Sequence, residues 1–137
     1  MKAKIESIRL QLGPRMNLGD VKTKVVPKMS LIAPARAGGH VCTRTFIPHD
    51  CHAAIGVLGA VSVATACILP GSVAAGIAKV PDGSVKRMSV EHPTGEFSVT
   101  LDVGGTPEQP VVQKAGLLRT ARLIMRGEVP ASRTDPR

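Results

Sequence analysis

Apolar and polar positions along the chain fall into rhythms that change several times. Ile5, Ile8 and Leu12 recur at helical spacing over residues 2–12, with Gly13-Pro14 as the expected stop. A lone helix running into a loop at 15–20 reads like the tail of something that should precede it. Residues 27–34, bounded by prolines, predict a short apolar strand, and 35–39 a flexible loop. Residues 40–47 alternate, with Val41, Thr43 and Thr45 on one face and Cys42, Arg44 and Phe46 on the other, so a second strand follows. The run 53–69 then carries no charge and is rich in Gly, Ala and Ser. It predicts a slim helix that is apolar on every side and must be wrapped.

After a turn at 70–72, Ser72 is placed to cap a short helix at 73–78. Residues 84–91 and 96–103 predict a hairpin joined by His92-Pro93-Thr94-Gly95, with Phe97, Val99, Leu101 and Val103 on the buried face. Residues 104–110 read as a loop. Residues 111–129 fit helix and strand alike; strand is preferred, because one core helix needs more sheet to enclose it. The expected organisation is a helix and linker over 1–20, left from a missing N-terminal lobe, a lobe over 21–131, and a disordered tail over 132–137. The fold class is α+β, an antiparallel barrel-like sheet around one central apolar helix.

Composition narrows the function. A membrane span is disfavoured, since the apolar run is near the lower length limit, contains Ser62 and Thr65, and lacks basic or aromatic flanks. The formal charge of +8 raises nucleic acid as a partner, but the basic residues are scattered, and two Phe with no Trp or Tyr offer no stacking surface. A surface with an affinity for anions is the simpler reading. Three cysteines, with no secretory signal before them, suit a reduced, cytoplasmic chain.

The densest polar cluster is His40, Cys42, His49, Cys51 and His52. Zinc favours such ligands, yet the spacing matches no familiar site, and a closed metal site would block the helix entrance, so no metal and no cofactor are assigned. A helix N-terminus offers unpaired N–H groups and the positive end of its dipole to an anion. There Cys51 is either an activated thiol or an inert one, Cys67 and Cys42 read as packing, and His49 and His52, with Arg44 nearby, point to a carboxylated ligand.

The segments GPRMNLGDV, PKMSLIAPA, TRTFIPHDCHAAIGVLGAVSVATACILPGS, VEHPTGEFSV and LLRTARLIMRGEV resemble the C-terminal half of the 2-methylaconitate isomerase (PrpF) and 4-oxalomesaconate tautomerase family, distant relatives of diaminopimelate epimerase. The likeness covers residues 5–131 and is nearest to the tautomerase branch through PHDCH, EHPTG and RGEV. The resemblance implies a cofactor-free isomerase of di- or tricarboxylic acids, with two lobes that each wrap sheet around a helix and a site between them. It implies substrate contacts from Arg44, His49, His52, the amides around Ile55 and Gly56, and His92 and Thr94. Ile55 stands where the epimerases carry a second cysteine. The family's principal lysine and cysteine belong to the N-terminal lobe and have no counterpart here, so the chain alone is expected to be inactive. The expected partners are a carboxylated substrate and either a complementary lobe or a second copy. A non-catalytic anion-binding or interaction module is the alternative.

Overall fold

The clearest alternation in the sequence becomes the middle of a six-stranded sheet. In the computed structural model, which describes residues 1–128, the elements are α1 (Lys2–Arg15), β1 (Met29–Ala33), β2 (Val41–Ile47), β3 (Asp50–Cys51), α2 (Val57–Ile68), β4 (Val85–His92), β5 (Gly95–Thr106) and β6 (Gln109–Leu117). The strand order is β1-β2-β4-β5-β6, with β3 paired to β2 off that path. The sheet is mixed rather than antiparallel throughout: β2 and β4 run parallel, in register over only Val41↔Val90 and Cys42↔Glu91. A parallel pair needs a crossover, and α2 lies within it.

The helix α2 rests on β4, β5 and β6. Ala60 and Ala64 are fully buried, and with Val63 and Cys67 they meet Met88, Val90, Phe97, Val99 and Leu101 in one core. Small side chains at those positions let the helix backbone approach the sheet closely. The wrapping is one-sided. Leu58 is 81% exposed, and among the described residues β1 and β6 are the edges of the sheet, so the α+β class holds while the barrel-like wrapping expected around the helix is partial, a mixed sheet against one of its faces. Helical structure also starts at Val57 instead of residue 53, because Gly56 at the N-cap is extended, with ψ 155°.

Other elements differ from expectation for local reasons. Helix α1 continues through Gly13-Pro14, since Pro14 sits one residue from the end and forfeits only a terminal hydrogen bond. It stops at Asn17, in left-handed conformation at φ 58°, where the Leu18 N–H closes onto the Gly13 carbonyl at 3.0 Å. Its buried stripe is Ile5, Arg9 and Gly13 rather than Ile5, Ile8 and Leu12. Gly13 is required there: a Cβ would lie 2.5 Å from a Val21 methyl. The short helix expected at 73–78 is a series of turns, broken where Gly76 adopts φ 76°. The expected loop at 104–110 is instead the end of one strand and the start of the next, joined at Pro107-Glu108, with a register shift between Asp102 and Val103. The strand preferred for 111–129 holds to Leu117, and residues 118–128 have no regular structure. The tail at 132–137 lies outside the described residues.

Candidate functional site

Two strands, a turn and a glycine loop meet where the parallel pair is shortest. Between them lies a cavity of about 510 Å³, lined among others by Arg36, Cys42, Arg44, Glu91, His92 and Glu96. Arg44 points outward from β2, opposite the buried Thr43 and Thr45, as strand alternation dictates. His92 is the last residue of β4 and pairs with Gly95 across the two-residue turn Pro93-Thr94. That turn ties the cavity to the start of the α2 segment, because the Thr94 hydroxyl donates to the Ala53 carbonyl at 2.9 Å.

Three histidines have their tautomer set by backbone donors. The N–H groups of Ser89, Ala54 and Thr94 donate to Nδ1 of His40, His52 and His92 at 2.9, 3.0 and 3.3 Å. A ring that accepts at Nδ1 carries its proton on Nε2 when neutral, so His52 and His92 each offer a donor suited to a carboxylate. The N-cap Gly56 makes no side-chain capping bond, which leaves the first amides of α2 with their dipole unanswered by any side chain. Ile55 itself is buried in the core, so only its backbone is available to a ligand.

The residues expected at the site are therefore divided. Arg44 and His92 share the cavity, and His52, Ile55, Gly56 and Thr94 lie along the adjoining helix entrance. His49 faces elsewhere, with Nδ1 3.8 Å from the Glu6 carboxylate of α1. Cys42 is half-buried and lines the cavity instead of filling the core. Cys51 is exposed on β3. Cys67 is packing, as expected: burial pushes its thiol up to about 11. Among the described residues, no three His, Cys, Asp or Glu side chains converge as metal ligands, and no helix is long and apolar enough to cross a membrane.

Sequence reasoning missed Arg36, Glu96 and above all Glu91. The carboxylate of Glu91 accepts from the backbone N–H groups of Arg36, Ala37 and Gly39 at 2.7, 2.8 and 2.8 Å. The Arg36 N–H, followed by those of Gly39 and Ala37 and by the Arg36 charge, holds its pKa below the ordinary carboxylate value against the opposing effect of burial. No residue type in the sequence announces this arrangement, since the donors are the ordinary main-chain N–H groups of Arg36, Ala37 and Gly39. Glu96 accepts from the hydroxyls of Ser89 and Ser98. With Glu91 saturated by amides, Arg36, Arg44 and the His92 Nε2–H are the groups in this cavity equipped to hold an anion.

The chain is 61% identical over 129 residues to a (4E)-oxalomesaconate Delta-isomerase of Novosphingobium sp. strain KA1 and 57% identical to a 4-oxalomesaconate tautomerase of Pseudomonas putida, in each case over 94% of this chain. It spans only 35% of the length of either relative. A crystal structure of methylitaconate-delta-isomerase shares the fold at a TM-score of 0.64 with 11% identity, over 86% of this chain and 36% of that one. The PrpF protein family model matches residues 1–132, and the chain therefore belongs to the PrpF family.

Proposed function

We propose that the chain serves as one lobe of a cofactor-independent isomerase of unsaturated di- or tricarboxylic acids, of the 4-oxalomesaconate kind, and that this lobe is of the diaminopimelate epimerase type. The observation that carries the reading is the cavity in which Arg36, Arg44 and His92 gather beside the uncapped start of α2. Such a site holds carboxylates and stabilises negative charge developing on a carbonyl oxygen. The reaction is a proton shift: a base takes a proton from the carbon next to the carbonyl, the electron pair spreads into an enolate, and a proton is returned at the oxygen or at the far carbon. The base comes from a complementary lobe. Leu118, Leu123, Ile124 and Met125, each at least 76% exposed, supply an apolar surface for that lobe or for a second copy.

The test follows the ultraviolet absorbance of 4-oxalomesaconate in its keto and enol forms. The chain alone is expected to bind the acid without turning it over, and turnover is expected on adding the remaining part of the Pseudomonas putida relative as a separate chain. Failure to bind removes the reading. Binding with no turnover in either arrangement favours an anion-binding module, to which the charge of +8 also lends itself.

A further inference from the structure

We propose that Glu91 is the positioning residue that holds the loop 36–39 so that Arg36 faces the cavity. The inference rests on the carboxylate-binding reading above and adds a specific residue to it. Nothing in the chemistry of that reading calls for a buried acid: a carboxylate in the wall of an anion cavity repels the ligand unless its charge is answered. Here it is answered by three backbone N–H groups from four consecutive residues. The carboxylate is thus an internal stand-in for an anion in a nest of amides, and the nest is what gives the loop its shape.

Two further contacts fix Glu91 itself. Its carbonyl accepts from the buried Thr43 hydroxyl at 2.7 Å, and its backbone is one of the two register pairs between β2 and β4. The fit on the loop side is close: a Cβ on Gly39 would lie 2.8 Å from Glu91 Cγ and 2.9 Å from Ser89 Oγ. The side chain of Glu91 consequently acts on the loop alone, while its main chain joins the strands. Replacing the carboxylate by the amide keeps the strand bonds and removes one of the two acceptor oxygens, so the effect is confined to residues 36–39.

The deciding experiment measures amide exchange and binding together, on the full chain, with cis-aconitate as the probe. In E91Q, exchange at Arg36, Ala37 and Gly39 should quicken by about tenfold or more while β4 and β5 remain protected. The dissociation constant for cis-aconitate, read by calorimetry, should rise by about tenfold in E91Q and in R36A. The double variant should bind no more weakly than either single one, because both act through the same guanidinium. Unchanged exchange at the three amides overturns the proposal, as do additive losses in the double variant. Exchange that quickens throughout the sheet overturns it too, since Glu91 is then only a stabiliser of the fold. If E91Q does not fold, G39A disturbs the same contact from the loop side and carries the same expectations. Failure of the unaltered chain to bind cis-aconitate defeats the binding reading, whereas the three amides still decide whether Glu91 holds the loop.

Discussion

The two helices are held to the rest of the chain by opposite means. Helix α2 carries no charge and is seated by small residues, with Ala60 and Ala64 at 0% exposure against the sheet. Helix α1 is polar, yet the side chain at the centre of its buried stripe is an arginine, also at 0% exposure. The Arg9 guanidinium bonds both Glu6 carboxylate oxygens at 2.8 Å and the carbonyls of Lys24 and Val26 at 3.1 and 2.6 Å. A buried charge is tolerable when its donors are paired in this way and becomes costly once they are not. The polarity of a helix therefore does not say how deeply it is seated. Shape complementarity fixes α2, and directional, charge-assisted bonds fix α1.

That contrast can be broken from either side. Ala64→Leu should have the largest effect: added volume at a site with no room forces α2 off the sheet and costs about 1–3 kcal/mol in chemical denaturation, where a loss below that range would show a looser contact. Arg9→Met should come next and act locally. It keeps the stem but leaves the carbonyls of Lys24 and Val26 and the Glu6 carboxylate without their donor, so α1 amides should exchange about tenfold faster or more while the core strands keep their protection. The smallest effect should come from acid. The hydrogen bond from Arg9, aided by the Arg9 and His49 charges, holds the Glu6 pKa below its ordinary value against partial burial. A depressed carboxylate contributes stability that is complete above its unfolded pKa and is lost as pH falls through the lower folded one. Docking of α1, followed by amide exchange, should thus weaken in that acid window, and should be indifferent to it in Arg9→Met.

The same contrast governs what could be read in advance. Period-two alternation named Phe97, Val99, Leu101 and Val103 as the buried face of the hairpin, and the first three are buried while Val103 is half-buried. In residues 40–47 it set Val41, Thr43 and Thr45 apart from Cys42, Arg44 and Phe46, and the structure buries the first set together with Phe46. Alternation reports the face directly because each strand has only two. The uncharged run announced a helix but overstated its enclosure: Val57 and Leu58 remain exposed, because apolarity says which side chains tolerate burial and not what arrives to bury them. Arg9 and Glu91 escaped notice for a related reason. Glu91 bonds only main-chain groups of a distant loop, and what buries Arg9 beyond its Glu6 partner is likewise a pair of loop carbonyls, those of Lys24 and Val26; main-chain groups leave no mark in the sequence. At the site, Arg44, named from its charge beside the helix entrance, and His92, named only from the family resemblance, line one cavity, whereas His49 is turned toward α1.

The narrow parallel join between β2 and β4 has a mechanical consequence. The ladder between β2 and β4 has only two register pairs, against pairing along the whole of β4 with β5, and side chains reinforce it: the Thr43 hydroxyl on the Glu91 carbonyl, the Ser89 N–H on His40 Nδ1, and the Glu91 carboxylate on the loop 36–39. The seam is thus held by side chains where the main-chain ladder is short, and those side chains set the angle between the two parts of the sheet. The pocket straddles the seam, and a ligand gripping Arg44 from one part and His92 from the other would act as a rivet across it.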